Sequence, residues 1–221
     1  MNIGDEKICI SVDATNLEAC RIASGKHYFI EYRLDNTFLS IKFLKSLFKN
    51  TGISISSCRN SLLSSKEIYD ILKMSINAGT NFIDIDLSLD ATFRKKLISK
   101  SNIKKVKIIL SYHNFSNTPT EEFLDSLIES SMDLQFDILK IACMVKDSKD
   151  CRRLLSLYNN KLLNHHNKPL IAIGMGEEGK MTRLSNLALG APFTYCSLQE
   201  GLETAPGQLD FETMKTIIAN F

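Results

Sequence analysis

A lysine stands in the middle of an apolar segment of this chain. Lys140 lies within the run Phe136–Met144, which reads FDILKIACM. A lysine is rarely buried without a function, because removing its ammonium from water is costly. Burial also lowers the lysine pKa and frees the neutral amine, which is the form that attacks a carbonyl carbon. The run alone also fits a strand end whose ammonium reaches water, so the other ionisable residues must decide between the two interpretations.

Other apolar runs also end in polar or ionisable residues. Those at or near the ends are Ser11, Glu31, Arg33, Arg59, Asp84, Asp86, His113 and Ser197. Taken singly, each has an ordinary structural explanation. Glu31 and Arg33 fit an ion pair, His113 fits a hydrogen-bonded core histidine, and Asp84 and Asp86 fit caps of the helix that follows. Jointly they indicate an active site, provided that the fold brings these ends together.

Eight short apolar runs alternate with amphipathic stretches along the chain. Continuous hydrophobic runs are typical of strands buried on both faces of a parallel sheet. They are Lys7–Val12, Tyr28–Leu34, Ile53–Arg59, Asn81–Leu87, Val106–His113, Asp137–Met144, Pro169–Met175 and Pro192–Ser197. Helical spacing follows at Asn16–Ala23, Phe38–Lys49, Glu67–Ala78, Ala91–Lys100, Thr120–Leu134, Arg152–Leu163 and Phe211–Ala219. The alternation predicts a (β/α)8 TIM barrel formed by residues 1–221 as one domain. A doubly wound sheet would leave two runs unassigned, since it has about five or six strands.

In such a barrel the active site lies at the carboxyl ends of the strands. Side chains alternate between the two faces of a strand, so Glu31 shares a face with Arg33, and Ser111 shares a face with His113. We therefore expect Lys140 and His113 to meet at one mouth of the barrel, together with a carboxylate and two arginines.

Composition excludes several classes of function. The charges nearly cancel, with 27 basic and 25 acidic residues, and no basic cluster is interleaved with aromatics, so no nucleic-acid surface is expected. The N-terminus lacks the apolar core of a signal peptide, and no apolar run approaches the ~20 residues that span a bilayer. Six scattered cysteines predict reduced thiols in a cytoplasmic protein. No CxxC or HExxH spacing occurs, so no metal site is expected.

The candidate residues lie in motifs that resemble those of one known family, type I 3-dehydroquinate dehydratase. The resemblance runs from about Lys7 to Phe221. The motifs are Glu31–Asp35 (EYRLD), Ser111–Phe115 (SYHNF), Ile138–Ala142 (ILKIA), Gly174–Gly176 (GMG) followed by Thr182-Arg183, and Thr204–Gln208 (TAPGQ). Each motif is a modest signal alone, whereas five in the expected order form a strong one.

The resemblance implies a lyase that dehydrates 3-dehydroquinate to 3-dehydroshikimate in the shikimate pathway of aromatic amino-acid biosynthesis. It implies that Lys140 forms an imine with the substrate ketone and that His113 acts as general base and then as general acid. No cofactor is expected, because the lysine itself serves as the electron sink.

The resemblance also assigns the substrate-binding residues. Arg183 is expected to bind the substrate carboxylate, since a guanidinium suits bidentate pairing. Ring hydroxyls are expected to contact Glu31, Arg33 and Arg59, with Ser11 as a further candidate. Thr204 and Gln208 are expected on a loop that closes over the substrate.

Three departures from the family pattern carry expectations of their own. Leu63 stands where relatives have the glutamate that supports the catalytic histidine, so His113 is expected to titrate at lower pH unless Asp84 or Asp86 replaces that carboxylate. Thr204 replaces the usual serine. About six residues precede the first strand, so the N-terminal β-hairpin that plugs the barrel bottom in relatives is expected to be missing.

Two alternative functions stay open at this point. A class I aldolase also carries a Schiff-base lysine on its sixth strand, but Glu177 and Glu178 would repel a sugar phosphate at the loop after the seventh. An inactive binding module on the same fold is favoured only by Leu63. A homodimer is one expected assembly, and association with shikimate dehydrogenase is another, because some family members are fused to it.

Overall fold

Eight parallel strands form the sheet of this protein, whose computed structural model describes residues 4–35, 40–59 and 62–220. The strands are β1 (Ile8–Asp13), β2 (Phe29–Arg33), β3 (Ile53–Ser57), β4 (Phe82–Asp86), β5 (Lys107–Asn114), β6 (Ile138–Met144), β7 (Leu170–Met175) and β8 (Thr194–Ser197). They hydrogen-bond in the order β7-β6-β5-β4-β3-β2-β1-β8. The eight predicted strands and the TIM-barrel architecture are confirmed, with strand ends within two residues of expectation.

Helices on the outside of the sheet connect successive strands. They are α1 (Leu17–Lys26), α2 (Ile41–Lys49), α3 (Ser65–Ala78), α4 (Ala91–Lys104), α5 (Glu121–Ser131), α6 (Ser148–Ser156), α7 (Lys161–His165), α8 (Thr182–Ala188) and α9 (Phe211–Ala219). Their apolar faces and the strands' outward faces form one hydrophobic cluster, while inward-facing residues form a second cluster inside the barrel. No helix in the described ranges has the length and apolar character needed to cross a bilayer.

Local capping decides where several helices begin. Ser64 and Glu67 form a capping box at the start of α3, and Gly79 ends it in the left-handed region with φ 98°. Asp90 caps α4 by accepting a hydrogen bond from the Thr92 N–H at 2.8 Å. Asp84 and Asp86 therefore do not cap this helix, and their structural interpretation as caps is wrong.

One predicted helix is divided in the structure, and the start of another is not tested. The stretch predicted as Arg152–Leu163 is divided into α6, a 3-10 turn and α7, because Asn160 accepts hydrogen bonds from Leu162 N and Leu163 N and starts a new helix. Helix α2 begins at Ile41 behind its cap Ser40, and the predicted start at Phe38 lies outside the described residues.

Aromatic side chains fill the bottom of the barrel, where the strands begin. Phe29 and Phe193 meet edge to face with ring centroids 4.7 Å apart, and Phe82 lies 6.4 Å from each of them. Among the described residues ahead of β1, a 3-10 helix (Asp5–Lys7) is present rather than a hairpin. The aromatic group thus closes the bottom of the barrel from within.

The ring of strands has one seam. β7 pairs only with β6, and β8 only with β1, so no ladder joins β7 to β8 in the described part of the chain. Helix α8 spans this seam instead. Its Arg183 carbonyl accepts a hydrogen bond from Thr194 Oγ1 of β8 at 2.7 Å, and the Gly174 N–H of β7 donates to Thr182 Oγ1 at 2.8 Å.

Candidate active site

The carboxyl ends of the strands surround a small cavity lined by both charged and apolar side chains. Its volume is about 70 Å³, well below the roughly 300–1,000 Å³ of most ligand pockets. Eight of the nine predicted site residues line it; they are Glu31, Arg33, Arg59, His113, Lys140, Arg183, Thr204 and Gln208. The ninth, Ser11, lies behind Glu31 and donates a hydrogen bond to its carboxylate at 2.5 Å. The fold therefore gathers the predicted set at one mouth.

Lys140 is buried at this mouth, with 4% of its surface exposed. Its Nζ lies 2.6 Å from Asp84 Oδ2, 3.9 Å from Glu31 Oε1 and 4.5 Å from the centre of the Tyr195 ring. Burial and the charge of Arg59 lower the Lys140 pKa, and they outweigh the two carboxylates, which raise it. The ammonium is thus held in place by two anions while its deprotonation is made easier.

Two carboxylates and one guanidinium complete the charge cluster around the lysine. Arg59 Nη2 contacts Asp84 Oδ2 and lies 3.4 Å from Glu31 Oε1. Burial would raise the pKa of Glu31, but the charges of Lys140, Arg59 and Arg33 lower it to about 2. Burial likewise opposes ionisation of Asp84, and Arg59 and Lys140 hold its pKa below the usual range. Both carboxylates are therefore ionised at neutral pH.

His113 is oriented by a carboxylate on the neighbouring strand. Its Nδ1 lies 2.6 Å from Asp86 Oδ2. Burial and the charges of Arg59 and Lys140 lower the His113 pKa to about 4, although Asp86 raises it. The imidazole is consequently neutral at pH 7. With an ionised Asp86 accepting a hydrogen bond from Nδ1–H, Nε2 keeps the lone pair that a general base needs.

Asp86 is thus the one of the two candidate aspartates that contacts His113. Asp84 was the other candidate, but its carboxylate contacts Lys140 and Arg59. Leu63 lines an outer cavity of about 310 Å³ together with Asp86 and His113. A carboxylate from residue 63 is absent, yet the histidine retains an anionic partner.

Ser111 lies between the aspartate that contacts Lys140 and the aspartate that contacts His113. Its hydroxyl donates to Asp84 Oδ1 at 2.5 Å and lies 3.4 Å from Asp86 Oδ2. A row of close polar contacts therefore runs from Lys140 through Asp84, Ser111 and Asp86 to His113. Sequence reasoning left Ser111 out of the candidate site, although its place two residues before His113 on β5 was the available signal.

Arg183 is a buried cation at the other side of the cavity. Only 2% of its surface is exposed, and its guanidinium donates to the Gly207 carbonyl at 3.0 Å and the Pro206 carbonyl at 3.3 Å. Arg183 forms no ion pair with any of the described residues. Burial lowers the Arg183 pKa to about 10, so the side chain stays charged without a carboxylate partner. Such a group is suited to binding an anion.

The loop after β8 closes the cavity from above. Gln208 Oε1 accepts hydrogen bonds from Thr204 N at 2.7 Å and Ala205 N at 3.2 Å, and Thr204 Oγ1 donates to Ser11 Oγ at 2.7 Å. Gly207 has φ +73°, and a Cβ there would lie 2.1 Å from the Gly176 carbonyl oxygen. This close backbone contact requires glycine in the loop.

Arg33 takes a different partner from the one that its spacing suggested. The ion pair between Glu31 and Arg33 is not formed, because Arg33 Nε lies 2.8 Å from Asp35 Oδ2. Asp35 also accepts a hydrogen bond from the Arg59 backbone N–H. Asp35 therefore fixes the ends of β2 and β3 relative to each other. Asp35 is the last residue of the motif Glu31–Asp35 (EYRLD), but the sequence alone did not indicate a role for it.

Tyr195 is a second cavity residue that the sequence did not indicate. Its ring lies beneath Lys140 Nζ, and its buried hydroxyl has no hydrogen-bond partner among the described residues. A tyrosine within an apolar strand ordinarily indicates a core position, so no sequence signal marked it.

Comparisons of the sequence with known proteins identify its family. The sequence matches the family described as Type I 3-dehydroquinase over residues 8–220. It is 30% identical over 215 residues to a 3-dehydroquinate dehydratase of Methanococcus maripaludis strain C7, an alignment that covers 97% of this chain and 95% of that protein.

Solved structures give the same fold. The 3-dehydroquinate dehydratase of Geobacillus kaustophilus HTA426 superposes with a TM-score of 0.85 at 21% identity, covering 97% of this chain and 90% of that one. The S. pombe AroM structure, described as dehydroquinate dehydratase and shikimate dehydrogenase, superposes with a TM-score of 0.76 at 19% identity. That match covers 96% of this chain and 44% of the AroM chain.

Proposed function

The chain belongs to the type I 3-dehydroquinase family, and we propose that it dehydrates 3-dehydroquinate to 3-dehydroshikimate through an imine at Lys140. The family match and the relatives support the dehydratase activity itself. The observation that carries the mechanism is a buried lysine of lowered pKa in a cavity that it shares with a neutral, carboxylate-oriented histidine.

Imine formation begins when Lys140 loses a proton and its amine attacks the substrate ketone. Loss of water from the adduct then leaves a protonated imine, which carries the same positive charge as the original ammonium. Asp84 and Glu31 face that position at 2.6 Å and 3.9 Å from Nζ. The cluster that stabilises the resting lysine therefore also stabilises the iminium, with little reorganisation.

Proton transfer is assigned to His113. The iminium withdraws electrons from the adjacent carbon, and His113 Nε2 removes a proton from that carbon to give an enamine. The imidazolium then returns a proton to the departing hydroxyl, which leaves as water. Hydrolysis of the conjugated imine releases the enone and restores Lys140. Asp86 stabilises the transient imidazolium from the Nδ1 side.

Substrate binding is divided between the two sides of the cavity. We assign the carboxylate to Arg183 and the ring hydroxyls to Glu31, Arg33 and Arg59, with Ser11 supporting Glu31. Because the closed cavity is only about 70 Å³, the loop carrying Thr204 and Gln208 must open for the substrate to enter.

The alternatives have less support. An aldolase would bind phosphate near the loop after β7, but Glu177 and Glu178 occupy that loop, and Glu177 pairs with Lys180 at 2.7 Å. An inactive module is disfavoured because Asp86 supplies the carboxylate that Leu63 cannot.

A direct assay tests the proposed function. Purified protein is mixed with 3-dehydroquinate, and the ultraviolet absorbance of the conjugated enone is followed. A rise in absorbance proportional to protein concentration is expected, with no added metal or cofactor. Absence of product under conditions in which the protein is folded would rule out the dehydratase assignment.

Arg183→Ala should raise the KM for 3-dehydroquinate. A charge-assisted hydrogen bond contributes about 1.5–3 kcal/mol, so binding should weaken by roughly ten- to a hundred-fold. Steady-state kinetics measure the effect, and Arg183→Lys is the matched control because it keeps the charge but loses the planar fork. Unchanged KM in the alanine variant would remove Arg183 from the carboxylate site.

The pH profile should report on His113 and Asp86. Once the imine at Lys140 has formed, elimination needs the neutral imidazole, so kcat should fall as pH drops through about 4 rather than near the ordinary histidine value of about 6.5. Asp86→Asn removes a group that raises this pKa and should move the acidic limb to lower pH. Leu63→Glu adds a carboxylate and should move it upward. Asp84→Asn serves as the comparison, because Asp84 bonds Lys140 and Ser111 and acts on the imidazole only through its charge, so it should move this limb less than Asp86→Asn does. Superimposable profiles for all four proteins would contradict the assignment of Asp86.

The cellular setting forms part of the same proposal. All six cysteines are free thiols, which fits a reducing compartment, and we assign the enzyme to the cytoplasm and to the shikimate pathway. Association with shikimate dehydrogenase stays a prediction.

A further inference from the structure

Three buried polar groups near Lys140 have no hydrogen-bond partner among the described residues. They are Ser57 Oγ, Arg59 Nε and Tyr195 Oη. Most buried polar groups in proteins bond either to the protein or to ordered water, because leaving such a group unpaired is costly. Three unpaired groups around one reactive side chain therefore indicate a molecule that this part of the barrel binds.

All three groups lie inside the barrel, next to the lysine. Ser57 is buried and stands opposite Asp84 in the register of β3 and β4. Arg59 follows two residues later on the same face, and its Nη2 contacts the Asp84 oxygen that also lies 2.6 Å from Lys140 Nζ. Tyr195, on β8, places its ring centre 4.5 Å from the same Nζ. The unpaired groups therefore approach the lysine from two sides of the barrel.

The Tyr195 side chain is fixed in position and keeps its proton. Phe193 meets its ring edge to face with centroids 5.3 Å apart, and only 3% of the tyrosine surface is exposed. Burial raises the pKa of Tyr195 well above its ordinary value, so the hydroxyl is protonated at neutral pH. It can therefore donate one hydrogen bond and accept another.

Water matches the three groups in size and in hydrogen bonding. Arg59 Nε can only donate, whereas the hydroxyls of Ser57 and Tyr195 can donate or accept, and a buried water typically makes about three hydrogen bonds. Arg59 and Tyr195 line the cavity of about 70 Å³, which exceeds the roughly 10–15 Å³ that one water needs. An anion at this place would be repelled by the ionised carboxylates of Asp84 and Glu31.

We propose that Ser57, Arg59 and Tyr195 hold a water molecule beneath Lys140, and that this water hydrolyses the product imine. The inference rests on the proposed imine at Lys140. Each cycle consumes one water at this step, and the loop after β8 covers the cavity from above. A water bound on the inner side of the lysine reaches the imine carbon without opening that loop, and its fixed position favours attack.

The hydrolytic step balances without a further reactant. The water oxygen bonds to the imine carbon, and the π electron pair of the C=N bond moves to the lysine nitrogen. The C–N bond of the resulting carbinolamine then breaks, the oxygen stays on the product ketone, and both water protons end on Lys140 as its ammonium. Asp84 lies 2.6 Å from Nζ and is placed to pass these protons from oxygen to nitrogen.

Oxygen exchange isolates this step from elimination. The enzyme is incubated with 3-dehydroshikimate in water labelled with heavy oxygen, and mass spectrometry measures the label that enters the ketone, which requires imine formation and hydrolysis but no dehydration. Tyr195→Phe keeps the ring next to Lys140 and removes only the hydroxyl, and Ser57→Ala removes the second hydroxyl. Each should slow exchange at saturating 3-dehydroshikimate by roughly two- to ten-fold, the effect of one lost hydrogen bond. Lys140→Arg gives the uncatalysed rate.

Trapping during turnover shows which step is delayed. When 3-dehydroquinate is supplied and the reaction is quenched with borohydride, both variants should accumulate an adduct at Lys140 that is lighter than the substrate adduct by one water. This product adduct accumulates because elimination precedes the slowed hydrolysis. The kcat of each variant should fall with its exchange rate, and KM should not rise.

Two matched controls remove similar hydroxyls elsewhere in the protein. Ser101→Ala deletes another buried hydroxyl without a partner among the described residues, on α4, and Tyr69→Phe deletes a phenol hydroxyl on α3. Both should exchange oxygen at the wild-type rate. Wild-type exchange in Tyr195→Phe or in Ser57→Ala would overturn the proposal, and so would slower turnover without the lighter adduct. A wild-type protein that neither dehydrates 3-dehydroquinate nor forms any adduct would refute the proposed function, and this inference with it.

Discussion

Lys140→Ala is expected to abolish turnover and to prevent formation of any borohydride-stable adduct with 3-dehydroquinate. The lysine is the only proposed nucleophile, and the elimination step depends on the electron sink that its imine provides. Wild-type protein treated with substrate and borohydride should gain a stable mass on the peptide that carries Lys140. Peptide mass spectrometry and the enone assay measure the two effects separately.

The controls for this experiment follow from the charge cluster. Removing the lysine leaves Asp84 and Glu31 with Arg59 as their nearest cation, so the alanine variant could lose stability for electrostatic reasons. Lys140→Arg keeps the positive charge and should likewise show neither adduct nor turnover. Lys168→Ala removes a lysine that precedes β7, at the opposite end of the barrel, and should retain both. An adduct on another lysine, or turnover in Lys140→Arg, would refute the mechanism.

His113→Ala is expected to reduce kcat by roughly 10²–10⁴-fold, the usual contribution of a general acid–base group. Borohydride should nevertheless still trap the imine at Lys140, because that lysine and its two carboxylates remain in place. The comparison of trapping with turnover thus separates the two catalytic roles.

The matching control is a change at the partner carboxylate. Asp86→Asn keeps the imidazole but removes its anionic partner, so its kcat should fall less than that of His113→Ala. A histidine variant that neither traps an imine nor turns over would show that His113 is needed before elimination. Near-normal kcat would exclude it as the general base.

The fold and most of the site could be predicted because both depend on local sequence patterns. Buried parallel strands require uninterrupted apolar runs, and the residues that end those runs must lie at the same mouth of the barrel. Lys140 and His113 were therefore identifiable from the strand ends, whereas Arg183, which lies on α8, was indicated only by the resemblance of Thr182-Arg183 to a family motif.

Pairings between strands could not be predicted in the same way. Whether Asp84 or Asp86 reaches His113 depends on the stagger between β4 and β5, which places Asp86 opposite Ser111. Arg33 lay on the same face as Glu31, yet it pairs with Asp35 because Arg59 and Lys140 occupy the carboxylate of Glu31. Tyr195 has the sequence environment of a core residue, and only the structure places it beneath the lysine.

Because no ladder joins β7 to β8 in the described residues, the strands of this barrel form an open ring with one gap. Arg183 lies on α8, the helix that bridges β7 and β8, and the loop carbonyls that its guanidinium contacts belong to the segment after β8. In the proposed complex the substrate carboxylate would bind the same guanidinium. Ligand binding would therefore also strengthen the connection across the gap between β7 and β8. Arg183 would then both bind the substrate carboxylate and hold the gap between β7 and β8 closed.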